Sequence, residues 1–153
     1  MGQVLECERN VSVPDALPQL EIDPVAWIGI TQVLARYGHI IDDAAWDRFA
    51  DVFTEDVYLD YRDVGNEIMQ GHAEAASGFA AMRHPLGHHT TNAFVEAISE
   101  DGDRYRVRSK WIIGGRQGEA RSGNYEDEFI RQERKWLIAK RKATRKPPPT
   151  EQS

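Results

Sequence analysis

From Arg104 to Ile113 the side-chain character switches at nearly every step. Tyr105, Val107, Ser109, Trp111 and Ile113 fall on one face, and Arg104, Arg106, Arg108 and Lys110 on the other. A period of two belongs to a β-strand with one buried and one solvated face. Such a strand needs an antiparallel sheet that is covered on one side only. Ala120 to Arg131 alternates in the same way, with Tyr125, Asp127 and Phe129 opposite Asn124, Glu126 and Glu128. His88 to Ile98 reads as an earlier strand and Trp136 to Arg141 as the last one. Glu100-Asp101-Gly102-Asp103 supplies a hairpin turn, and Gly114-Gly115 a bend. The second half of the chain therefore predicts a four-stranded antiparallel meander. The basic stripe on its outer face can pair with Glu126 and Glu128 on the next strand, which makes it a solvated charge ladder. Its interleaved aromatics lie on the opposite face, so they form no stacking platform for nucleic acid.

The first half has a different period. Asp23-Pro24 fits an N-cap followed by proline at the first helical position. Trp27, Ile30, Val33, Leu34, Tyr37, Ile40 and Ile41 then recur at steps of three and four, as on one buried helix face. Asp42-Asp43 ends that helix. Asp43 is expected to cap a second helix carrying Trp46, Phe49, Ala50 and Phe53, with Thr54-Glu55-Asp56 as a turn. Val57 to Tyr61 reads as a strand, Gly65 as a turn and Glu67 to Gln70 as a short return strand. Gly71 to Met82 reads as a third helix, followed by a loop around Pro85. The fold class is α+β, with three helices segregated against one curved, mostly antiparallel sheet.

At 153 residues, with 41% apolar and 29% charged side chains, the chain fits one globular domain. Residues 1–23 read as an N-terminal arm, 24–145 as the domain, and 146–153, with the triple proline Pro147-Pro148-Pro149, as a disordered tail. A net charge of −6 argues against nucleic-acid binding. Cys7 is the one cysteine, so no internal disulfide framework or cysteine zinc cluster is expected. No apolar run approaches the roughly 20 residues that span a bilayer, and no secretory signal opens the chain. A cytoplasmic chain without membrane contact is the expectation. Asn10-Val11-Ser12 matches a glycosylation sequon that this setting makes a chance match.

Chemistry centres on Gly87-His88-His89-Thr90-Thr91-Asn92. Histidine exchanges protons near neutral pH, and a carboxylate beside an imidazole makes a general-base pair. Asp42, at the end of the first helix, sits where the helix dipole disfavours a negative charge. An exposed turn role would account for it equally well. His88 and His89 point to opposite faces of a regular strand, and pattern alone leaves open which one faces inward. His84, His88 and His89 lack zinc-site spacing, so no metal is expected. Tyr37, Phe53, Tyr58, Trp111 and Tyr125 are expected to face inward, some of them lining an apolar pocket. No phosphate loop, dinucleotide fingerprint or Gly-x-Ser-x-Gly turn occurs.

The helix Ile30 to Asp42, the run Asp47-Arg48-Phe49-Ala50-Asp51-Val52-Phe53-Thr54-Glu55-Asp56, the run His88 to Asn92, Tyr125 to Phe129 and Trp136 to Arg141 together resemble SnoaL-like proteins of the nuclear-transport-factor-2-like superfamily. The resemblance spans roughly residues 24–145 and implies a cone-shaped α+β barrel enclosing a pocket. It is nearest the scytalone dehydratase, bile-acid 7α-dehydratase and hexachlorocyclohexane dehydrochlorinase branch. That branch implies an Asp–His dyad falling on Asp42 and His88, a tyrosine at Tyr37 and an arginine at Arg141. The strand from Arg108 to Ile113 carries no second histidine like that of scytalone dehydratase.

The implied activity is a cofactor-free lyase or isomerase acting on a small, mostly apolar cyclic substrate. Tyr58, Asn92, Trp111, Tyr125 and Arg141 are the expected substrate contacts. The alternatives are a non-catalytic small-molecule-binding or assembly module, or a dioxygenase small subunit. A homo-oligomer, dimer or trimer, is implied. Ala93, Val95 and Ala97 would suit that contact if His88 faces the pocket.

Overall fold

The structure is a computed structural model that describes residues 22–99, 101–115 and 117–146. The expected arm up to residue 21 and the tail from 147 lie outside the described residues. Helix α1 runs Pro24–Asp42, capped by Asp23, whose side chain accepts a hydrogen bond from the Val25 N–H at 3.1 Å. Its buried stripe is Ala26, Ile30, Val33, Leu34, Tyr37, Ile40 and Ile41. Trp27 lies beside that stripe and is exposed, so Ala26 opens the buried face in its place.

The second helix is a 3₁₀ turn, Trp46–Asp51. Asp43 does not cap it. The backbone N–H of Asp43 donates to His39 and Ile41 instead, closing α1. Ala45, just before the 3₁₀ turn, provides no side-chain cap. Strand β1 is Phe53–Asp60, so Thr54-Glu55-Asp56 is strand and not a turn. The polar run tolerates this because Glu55 and Asp56 are exposed where the pairing between Phe53 and Tyr58 shifts register. A short 3₁₀ turn at Arg62–Val64 leads to β2, Ile68–Gln70, and then to helix α2, Gly71–Ala81.

The remaining strands are β3 His88–Ala97, β4 Arg104–Gly114, β5 Ala120–Gln132 and β6 Lys135–Arg145. One sheet holds all six in the order β2-β1-β6-β5-β4-β3. Among the described residues only β1 and β6 pair in parallel; the meander β3 to β6 is antiparallel throughout. Arg104, Arg106, Arg108 and Lys110 are exposed on β4, while Tyr105, Val107, Ser109 and Trp111 are buried. The charge ladder is present in the register, with Arg106 opposite Glu128 and Arg108 opposite Glu126. The core lies between this inner face and the helices.

Strand β3 departs from regular alternation. Its pairing with β4 slips between Thr91 and Phe94, and Asn92 adopts φ 51°. The extra residue of such a bulge exchanges the two faces. His88 and Thr90 lie opposite Ile113 and Trp111, whereas beyond the bulge Val95 lies opposite Val107. Ala93 and Val95 therefore pack onto the same core that His88 borders. They are not the outer contact face expected from unbroken alternation.

Helix α1 crosses close to β3. A Cβ on Gly38 would lie 2.9 Å from the carbonyl oxygen of His88, closer than real Cβ atoms come. Glycine at this position lets the helix end reach the start of β3.

Candidate active site

Asp42 is the last residue of α1 and His88 the first of β3. The Nδ1–H of His88 donates to Oδ1 of Asp42 at 2.6 Å, and its backbone N–H donates to Oδ2 at 3.0 Å. The carboxylate can only accept, so Nδ1 carries the proton. These two donors offset the unfavourable position at the negative end of the helix. The His88 side chain is 14% exposed and that of Asp42 30%. Burial lowers the His88 pKa below its ordinary value, outweighing the attraction of Asp42; the nearby charges of His84 and Arg141 act in the same direction as burial. Near neutral pH the ring is then a neutral imidazole with an unprotonated Nε2. Among the described residues Nε2 has no hydrogen-bond partner.

His88 borders a cavity of about 160 Å³. Tyr37, Ile41, Tyr61, Phe79, Trp111 and Tyr125 form much of its wall. Tyr37 is buried, with its ring edge-on to that of His88 at 6.5 Å between centroids. Its hydroxyl is hydrogen-bonded to that of Tyr61 at 2.9 Å. Burial raises the Tyr61 pKa well above the phenol range and does the same for Tyr125, so both keep their protons. Trp111 is held by an Nε1–H bond to the Thr144 carbonyl at 3.0 Å.

Three of the expected contacts are placed elsewhere. Tyr58 projects from the other face of β1, where the Lys140 ammonium lies 5.9 Å from its ring centre. Strand alternation explains this, because Val57 and Leu59 take the inner face. Tyr61, which shares their parity, is the phenol that reaches the cavity. Asn92 sits on the bulge and lines a shallow outer groove with Phe94, Arg108 and Lys110. Arg141 is 0% exposed and lies beneath the cavity wall. Its Nε and Nη2 donate to the two Asp127 oxygens at 2.7 Å each. Its guanidinium lies between the rings of Tyr37 and Tyr125, at 4.2 and 4.0 Å from their centres. It braces both phenols from behind.

His84 also lines the cavity. Its Nε2–H donates to the Phe79 carbonyl at 2.7 Å, and its ring lies 5.6 Å from Trp46 and 6.2 Å from His88. His89 is exposed. Among the described residues, no group of three or more His, Cys, Asp or Glu side chains is arranged to hold a metal ion. No described helix is long and apolar enough to cross a membrane.

Helices closed over a curved six-stranded sheet, with a partly buried histidine at the cavity wall, define a cone-shaped α+β protein with the cystatin-like fold. The SnoaL-like domain family matches residues 29–142, and the chain belongs to that family. The uncharacterized protein Rv2910c of Mycobacterium tuberculosis is 30% identical over 128 residues, covering 76% of this chain and 82% of the relative. A protein of unknown function with a cystatin-like fold from Nostoc punctiforme superposes with a TM-score of 0.71 at 20% identity, covering 84% of this chain and 96% of that one. A type 2 hexachlorocyclohexane dehydrochlorinase, LinA, superposes with a TM-score of 0.65 at 16% identity, covering 80% and 86%. At these identities the two structures establish the shared fold.

Proposed function

We propose that this chain is a cofactor-independent lyase or isomerase acting on a small, mostly apolar cyclic substrate. The observation that carries this reading is the 2.6 Å bond from His88 Nδ1 to Asp42, which leaves Nε2 unprotonated on a ring that lines the cavity. Nε2 takes a proton from the substrate carbon beside an activating carbonyl, and Asp42 holds the tautomer and stabilises the imidazolium that forms. In β-elimination the C–H electron pair becomes the new C=C bond. The group on the next carbon leaves with its bonding pair. In isomerisation the imidazolium returns the proton to a different carbon.

The hydroxyls of Tyr37 and Tyr61 share one hydrogen bond, so one O–H remains to donate to a carbonyl or departing oxygen. A cavity of about 160 Å³ matches one ring, since a cavity of about 150 Å³ accommodates benzene. The same reading takes the assembly to be a homo-oligomer joined through the outer sheet face, where Phe94 is 59% and Ile112 42% exposed. Light scattering of the wild type and of F94E tests that contact.

Proton abstraction is testable before the substrate is identified. A panel of cyclohexanone and cyclohexenone derivatives is incubated in D₂O, and exchange beside the carbonyl is followed by NMR. The wild type accelerates exchange of at least one member, and His88→Gln reduces that rate by about 100-fold or more while circular dichroism stays unchanged. Equal rates for wild type and H88Q reject the dyad. A wild type inert across the panel favours the binding-module reading.

A further inference from the structure

The cavity wall is chemically one-sided at its rim. Arg83 in the loop after α2, Arg121 near the start of β5 and Arg145 at the end of β6 line the same cavity as His88. Among the described residues lining it there is no aspartate or glutamate. The chain as a whole carries −6, so this concentration of guanidinium groups runs against the background charge. Arg145 is held in place: Nη2–H donates to the Val64 carbonyl at 3.1 Å, and its backbone N–H donates to the Asp63 carboxylate at 2.8 Å. Arg121 has Glu119 at 3.7 Å, an exposed pair that neutralises it only weakly. Arg83 has no carboxylate partner among the described residues. Arg83 and Arg121 also line an adjoining cleft of about 330 Å³, which shares His84, Pro85 and Ile113 with the inner cavity and has Glu119 as its one carboxylate among the described residues. The rim thus stands between an apolar interior, with Ile41, Phe79 and Trp111, and the surface.

A neutral ring would gain far less than an anion from three guanidinium groups at its point of access. A carboxylate gains because the guanidinium fork matches its two oxygens and the positive rim draws anions toward the cleft. We propose that the ligand of this site is a cyclic carboxylic acid. Its ring lies in the inner cavity beside His88, and its carboxylate lies on the rim formed by Arg83, Arg121 and Arg145. This rests on the reading of the cavity as a site for a small cyclic substrate and adds the acid group to it.

Benzoate and its neutral isostere benzamide are the probes, with affinity measured by calorimetry and contact by NMR shifts of the His88 ring. Benzoate binds about tenfold tighter than benzamide, as expected for one added charge-assisted pair, and its affinity falls as sodium chloride is raised. Arg83→Gln and Arg121→Gln each weaken benzoate and leave benzamide unchanged, while H88Q still binds benzoate. Equal affinity for the two probes, no His88 shift on adding benzoate, no benzoate binding at millimolar concentration, or arginine variants without effect would each overturn the proposal. Arginine-dependent benzoate binding without proton exchange in cyclohexanones that carry a ring carboxylate rejects the lyase reading alone. Proton exchange with no preference for the anion rejects the acid-binding rim alone.

Discussion

The Asp42 carboxylate receives two hydrogen bonds from His88, one from the ring and one from the backbone, across 46 residues of chain. The two contacts act differently. The backbone bond ties the end of α1 to the start of β3. The ring bond fixes the imidazole and favours its charged form. Asp42→Asn retains an oxygen for the backbone N–H and removes the negative charge beside the ring. Since the carboxylate is the influence that raises the His88 pKa against burial, that pKa falls further in D42N. Proton-exchange activity falls as well, by no more than it does in H88Q, because Asp42 acts through that ring. NMR titration of the His88 ring checks the first effect and exchange kinetics the second. A His88 pKa that rises in D42N contradicts the assignment.

The lowered His88 pKa also makes stability depend on pH. Burial favours the neutral ring in the folded state, while the unfolded ring titrates near 6.5. Between the folded pKa and about 6.5 the unfolded chain binds more protons, so this contribution to stability grows as pH rises through that window. It is fully present above about 6.5 and is lost as pH falls through the folded pKa. Urea unfolding of wild type and H88Q at a series of pH values isolates it. The wild-type advantage should climb through the window and then level off. A difference that is flat with pH, or that grows toward acid, contradicts the expected direction.

Behind the cavity, Asp127 and Arg141 form a fully buried bidentate pair. Among the described residues the Arg141 Nη1 has no hydrogen-bond acceptor, and the two tyrosine faces are further favourable surroundings of that charge. Asp127→Asn leaves the guanidinium buried and uncompensated. Breaking a buried pair in this way costs about 3–5 kcal/mol. Replacing both members with D127L and R141M should recover most of that loss. Urea denaturation of the single and double variants measures both. A loss below about 1 kcal/mol in D127N would place the pair among weak surface contacts.

The meander was legible because β4 and β5 alternate without interruption and each pattern admits one strand register. The buried ion pair left a trace as well: Asp127 sits at an inward position of β5, and such a charge needs an opposite partner on the adjacent strand. Arg141, directly across in the register, is that partner, which is why it lies under the wall and not in the cavity. Tyr61 could have been found from its parity with Val57 and Leu59, two apolar residues that leave Tyr58 on the other face. The bulge at Asn92 left no comparable trace. A positive φ at a non-glycine residue is a local departure that tertiary pairing imposes, and it moved Ala93 and Val95 from the outer face to the inner one. The meeting of α1 with β3 depends on packing between segments far apart in the chain, which no local period encodes.

Gly38 offers the sharpest test of that packing. Helix propensity alone says that alanine in a helix interior should stabilise by about 1 kcal/mol over glycine. The contact geometry says the opposite, because the new Cβ would stand 2.9 Å from the His88 carbonyl oxygen. That atom belongs to the backbone of β3, so relief requires the strand or the helix to move, at a typical cost of about 1–3 kcal/mol for an overpacked site. The strain falls on the residue that supplies both hydrogen bonds to Asp42. Gly38→Ala is therefore expected to lower stability in urea despite its better propensity, and to loosen the Asp42–His88 pair. With that pair loosened, the His88 pKa drops in NMR titration, in the same direction as in D42N. Gly38→Ala protein as stable as wild type, with an unchanged His88 pKa, would show that α1 and β3 have room to spare, and that the 2.6 Å bond does not depend on their close approach.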